Sequence, residues 1–150
     1  MRIVICDDNI KDLIELEKLI LKYSACYPDR QFEVEKFSEG EVLQQEFQNK
    51  GQADIYILDI VMSGISGIDL GNQIRKNNQK SIIIYVTTSD DFALDAYDIH
   101  AIRYLLKPVK EEDFFEAMDY ALTNIYVSER AAFMVKTKTG ILSVPYYKLG

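Results

Sequence analysis

The chain has 150 residues, 48% hydrophobic and 27% charged, with a net charge of −7. Those values suit one soluble globular core and exclude disorder, collagen and coiled coil. The net charge argues against wrapping nucleic acid by bulk electrostatics, and no apolar run of about 18 residues exists to cross a membrane.

Cys6 and Cys26 are too few for a disulfide framework or a zinc site, so a reducing, cytoplasmic setting is expected. The N-terminus meets Asp7 and Asp8 too early for a signal peptide. The charge is uneven. Residues 1–125 carry 13 basic and 23 acidic side chains, whereas residues 126–150 carry 4 and 1. The last 25 residues read as a different piece of protein.

In chain order, Ile3–Cys6 is a short β-branched run that ends in acids, and a helix over Ile10–Tyr23 places Leu13, Leu16, Ile20 and Tyr23 on one face. A weaker strand over Phe32–Phe37, alternating and at an edge, precedes a helix over Val42–Asn49. Ile55–Leu58 repeats the first pattern and ends at Asp59; a helix over Ile68–Lys76 follows Gly67. Ile82–Val86 ends at Thr87-Thr88-Ser89, and Asp90-Asp91 can cap a helix over Phe92–Asp98. A strand over Ile102–Leu106 and a helix over Glu111–Val127 complete the set. Five strands alternating with five helices predict right-handed βαβ crossovers and a three-layer α/β sandwich on a parallel sheet.

In such sheets chemistry gathers at the carboxyl edge of the strands. The residues there are Asp7, Asp8, Asp59, Thr87, Thr88 and Lys107. The three acids are predicted to converge, because they end neighbouring central strands. Crowded carboxylates stay ionised only beside a cation, and an all-oxygen donor set points to Mg²⁺ rather than zinc. A carboxylate beside Mg²⁺ can attack phosphorus, and Lys107 and the Thr87 hydroxyl suit phosphoryl oxygens. Pro108 makes a cis bond after Lys107 an expectation. Singly, each acid reads equally well as a helix cap and the lysine as a solvated charge. Cys6 reads as core, and His100 as a packing or interface residue.

Asp7-Asp8, Asp59-Ile60-Val61-Met62, Thr87-Thr88, Tyr104 and Lys107-Pro108, in this order, resemble the receiver domain of two-component response regulators over roughly residues 1–125. The resemblance implies a flavodoxin-like (βα)5 fold with strand order 2-1-3-4-5. It implies that Asp59 accepts a phosphoryl group from a sensor histidine kinase, acting as a phosphoacceptor and not as an enzyme in the ordinary sense. Mg²⁺ would be held by Asp8, Asp59 and the Val61 backbone carbonyl, with Asp7 acting through water. Thr87, the Thr88 backbone and Lys107 would bind the phosphoryl group. Thr87 and Tyr104 would switch, and a homodimer would form on phosphorylation. Ser63 departs from the proline common in receivers, while Gly67 keeps its expected place.

Ala96–Pro108 looks like the segment typical of receivers attached to LytTR-type DNA-binding domains. Phe133–Pro145 reads as two short strands around a Thr-Gly turn and is similar to the beginning of such a domain. Residues 126–150 are therefore expected to be a linker and the first strands of a truncated output domain, through which the parent would bind DNA. The alternative is a stand-alone receiver acting as an interaction module. Val61 sits where a haloacid-dehalogenase phosphatase needs a second acid. Asp7-Asp8-Asn9 would repel the phosphate of a flavin mononucleotide. A Gly-rich nucleotide loop is absent.

Overall fold

A computed structural model describes the backbone of residues 1–137 and the side chains of residues 1–125. The chain divides into two units, Met1–Phe115 and Glu116–Gly150. The first contains β1 (Arg2–Cys6), α1 (Ile10–Ala25), β2 (Glu33–Phe37), α2 (Gly40–Asn49), β3 (Ile55–Leu58), α3 (Gly67–Asn77), β4 (Ile82–Thr87), α4 (Ala93–Asp98) and β5 (Arg103–Leu106). It also contains the start of α5 (Glu111–Thr137). All strand pairs are parallel, in the order β2-β1-β3-β4-β5.

The apolar strands are the buried centre of this sheet. β3 and β4 are buried at every residue, as a parallel sheet covered on both faces requires. On one face Val4, Cys6, Tyr56, Leu58, Ile83 and Tyr85 pack with Leu43 of α2, Leu70 and Ile74 of α3, and Ala96 of α4. Strand alternation sends Ile3, Ile5, Ile55, Ile57 and Ile84 to the other face, where they are equally buried. α1 buries Leu13, Leu16, Ile20 and Tyr23, and the Tyr23 ring meets Phe115 edge-on at 5.2 Å. β2, half-buried, is an edge strand as its weaker pattern predicts.

Three expectations need correction. Asp90 and Asp91 do not cap α4: its N-cap is Phe92, with no side-chain hydrogen bond, and the Asp91 N–H donates to Ser89 Oγ instead. His100, against the packing half of its reading, has an exposed side chain, and its backbone ends α4. It takes φ +63° just past α4, its N–H donates to the Tyr97 carbonyl, and the Ala101 N–H reaches the Ala96 carbonyl. That is a Schellman stop built on histidine where glycine is usual. Finally, α5 runs to Thr137, so the backbone is helical at 133–137, where a strand was expected to begin. Glu129, Arg130, Ala131, Ala132 and Met134 are strong helix formers, and no glycine or proline interrupts the run before Gly140. The rest of the expected strand pair lies outside the described residues. Within the second unit, Ala117, Met118, Ala121 and Leu122 are buried at helical spacing.

Candidate functional site

The register of the sheet builds the site. Cys6 pairs with Leu58 at the ends of β1 and β3, so Asp7 and Asp59 leave the sheet side by side. The Asp59 N–H donates to the Cys6 carbonyl at 3.0 Å. Thr87 pairs with Leu106 at the ends of β4 and β5, and the Lys107 N–H donates to the Thr87 carbonyl at 2.8 Å. The Lys107–Pro108 peptide bond is cis. Asp7, Asp59 and Thr87 are buried, and Asp8 is half-buried.

One oxygen each of Asp7, Asp8 and Asp59 lie within 4.8 Å of one another. The Lys107 ammonium donates to Asp7 Oδ2 at 2.7 Å, Asp12 Oδ2 at 2.9 Å and Asp59 Oδ2 at 3.1 Å. Further donors hold the other oxygens of Asp7 and Asp59 and one oxygen of Asp8. The Ile60 N–H donates to Asp59 Oδ1 at 2.7 Å and the Asn9 N–H to Asp7 Oδ1 at 2.9 Å. Ser63 donates twice to Asp8 Oδ2, from its N–H at 2.8 Å and its hydroxyl at 2.9 Å.

Burial pushes the Asp7 carboxyl up, against the hydrogen bond from Lys107. The Ser63 N–H holds Asp8 down, despite some desolvation. Desolvation works against the charge on Lys107, but the hydrogen bonds to Asp12 and Asp7 and the field of Asp59 outweigh it, so its pKa rises. Burial, and then the neighbouring acids, push the Cys6 thiol up to about 12. Its Sγ lies 3.9 Å from Met62 Sδ, so it is a core group.

The cluster is three hard oxygen donors, and the one thiol beside it stays protonated; this set fits Mg²⁺ and not a soft metal. The Thr87 Oγ1 is buried without a hydrogen-bond partner, an opening for one more polar atom at the strand end. Val61, two residues past Asp59, is exposed, as is Thr88. Tyr104 is half-buried; its hydroxyl donates to the Ser89 carbonyl, and its ring centroid lies 6.4 Å from that of Tyr85. The Tyr85 hydroxyl donates in turn to the Gly67 carbonyl at 2.8 Å. A Cβ at Gly67 would collide with the Asp59 carbonyl oxygen, so α3 can start this close to Asp59 only with glycine there.

Residues 3–119 match the model of the response regulator receiver domain. The chain belongs to this family. Among curated proteins it is 28% identical over 120 residues to the sensory transduction protein LytT of Bacillus anthracis, covering 79% of this chain and 46% of that one. It is 38% identical over 68 residues to the positive alginate biosynthesis regulatory protein of Pseudomonas aeruginosa, covering 45% and 27%. The chain thus spans less than half the length of these relatives. The response regulatory domain of mrkE from Klebsiella pneumoniae superposes with TM-score 0.73 at 25% identity, covering 82% of this chain and 96% of that one. Response regulator TrrA of Thermotoga maritima, solved in complex with Mg²⁺-BeF, gives 0.66 at 26% identity, covering 80% and 97%.

Two residues of the receiver's site were not singled out by sequence reasoning. Asp12 looks like an ordinary acid in the first turn of a helix. Ser63 was noticed only as a replacement for proline, yet proline has no N–H and no hydroxyl and could make neither bond to Asp8.

Proposed function

We propose that this receiver accepts a phosphoryl group on Asp59 from a histidine of a sensor kinase and changes conformation in response. The observation that carries this reading is a half-buried ammonium on the Asp59 carboxylate, 3.1 Å away, with an unpartnered buried hydroxyl at the end of the neighbouring strand. Asp8, Asp59 and the Val61 carbonyl would hold Mg²⁺, with Asp7 acting through water; the Mg²⁺-BeF complex of TrrA supports the same choice of ion. When bound, the ion neutralises the crowded carboxylates and screens the incoming phosphoryl oxygens. Lys107 gives one N–H to a phosphoryl oxygen, and the Thr88 backbone another. Thr87 turns its open hydroxyl to a third. The protein is a phosphoacceptor, at most slowly taking phosphoryl groups from small donors and slowly losing them.

Phosphorylation turns one negative charge into nearly two and adds acceptor oxygens. As Thr87 moves toward them, Tyr104 releases the Ser89 carbonyl and rotates inward toward Tyr85. Moving such an equilibrium from 1:99 to 99:1 takes about 5.5 kcal/mol of differential binding. The remodelled face of α4 and β5, with Leu94, Tyr97 and Leu106 exposed, then supports a homodimer. Output passes to a LytTR-type DNA-binding domain of the parent protein, in the cytoplasm. The Ala96–Pro108 segment, the basic residues 126–150 and the likeness to LytT support that step.

With acetyl phosphate and Mg²⁺, intact-mass measurement should show one added phosphoryl group on the wild type and none on Asp59→Asn. Undiminished labelling of the variant would place the acceptor elsewhere.

A further inference from the structure

We infer that Asp12 is a positioning residue that keeps the Lys107 ammonium in the crevice while Asp59 is phosphorylated; this rests on reading Asp59 as the phosphoacceptor. An ammonium has three N–H donors, and in this structure three carboxylates take them, at 2.7, 2.9 and 3.1 Å. Two of the three, Asp7 and Asp59, belong to the acid cluster. Asp12 does not. During transfer an Asp59 oxygen forms a bond to phosphorus. The bond from phosphorus to the donor's oxygen breaks, and the electron pair leaves with acetate when acetyl phosphate is the donor. The Asp59 oxygen that bonds phosphorus gives up its negative charge. Asp12 is the one partner whose carboxylate neither bonds phosphorus nor belongs to the cluster that would hold the metal.

Asp12 is also well placed to anchor. It lies in the first turn of α1, and its own N–H is held by Asn9 Oδ1 at 3.1 Å, so its backbone is fixed before the side chain is considered. Lys107 has somewhere to go without it. Asp12, Leu16, Lys107, Pro108 and Val109 line a cleft of about 240 Å³ beside α1. A lysine released from Asp12 can swing into that space, and its long stem gains entropy in doing so.

The test is a double-mutant cycle on the rate constant of labelling by saturating acetyl phosphate and Mg²⁺. Asp12→Ala should lower it about tenfold, and Asp12→Glu should restore most of the loss. In a Lys107→Met background, Asp12→Ala should change nothing further. In metal-free protein, the ¹⁵N-edited signal of the Lys107 ammonium should be sharp for the wild type and lost to exchange in Asp12→Ala. An unchanged rate or an unchanged ammonium signal in Asp12→Ala would overturn the inference. So would a tenfold loss that persists in the Lys107→Met background, because helix stabilisation by an N-terminal acid does not need the lysine. If the wild type itself takes no label, the phosphoacceptor reading fails first.

Discussion

The two sides of the crevice are built on opposite plans. On the β1–β3 side, every acid has its donors: Asp7, Asp8 and Asp59 are held by Lys107, by backbone N–H groups and by Ser63. The helices that enter there are capped by side chains, α1 by Asn9 and α3 by Ser66. On the β4–β5 side, Thr87 has a buried hydroxyl with no partner. There α4 has six residues, five of them exposed, and no side-chain cap. One side gives each of its acids a donor and keeps its shape. The other is short of hydrogen bonds and has room to repack. A switch needs both: a fixed place for the charge to arrive, and a neighbour whose alternative packing costs little.

The contrast can be broken most strongly at Lys107. Lys107→Met keeps the stem and removes the ammonium, leaving Asp7, Asp12 and Asp59 without their shared partner. Removing one member of a buried pair costs about 3 kcal/mol, read by urea unfolding at neutral pH without metal. Mg²⁺ should recover part of the loss, because an ion that binds only the folded state stabilises it. An unchanged unfolding midpoint would mean that the acid side does not depend on its lysine.

Much of this arrangement was legible in the sequence, for identifiable reasons. β1, β3 and β4 are continuous apolar runs that end in polar residues, so both the strands and the residues at their carboxyl edge stand out. Asp7, Asp8, Asp59 and Thr87 were found that way, and Lys107 by its place after the less buried strand β5. What stayed hidden depends on distance in space. Nothing in the spacing says that Lys107 meets Asp12, 95 residues earlier, or that Ser63 grips Asp8 across 55 residues. His100 was opaque because a helix stop without glycine leaves no mark in composition. The end of α5 was misplaced because β-branched and aromatic residues at Phe133 and Val135 resemble a strand, although the residues around them favour a helix.

Hydrogen exchange sharpens the comparison without altering a residue. The amides of α4 should open at a free energy about 2 kcal/mol below those of α1, roughly 30-fold faster exchange. α1 is 16 residues long, capped by Asn9, and buries Leu13, Leu16, Ile20 and Tyr23, whereas α4 buries Ala96 alone. Equal protection of the two helices would remove the claim that the β4–β5 side is the looser one.

The smallest effect carries the opposite sign. Thr87→Val replaces a hydroxyl with a methyl of nearly the same size in a fully buried place. Elsewhere that swap loses a hydrogen bond; here Oγ1 has none to lose and its desolvation is uncompensated. The variant should therefore gain about 1 kcal/mol of stability in the metal-free state. It should still take label on Asp59, yet fail to move Tyr104 or to dimerise, because the group that answers the phosphoryl oxygens is gone. Tm and sedimentation before and after acetyl phosphate read both effects. A variant less stable than the wild type would mean that the hydroxyl already has a partner, such as a buried water. The β4–β5 side would then be as well supplied with partners as the acid side, and a stored hydrogen-bond deficit could not be what readies it to move.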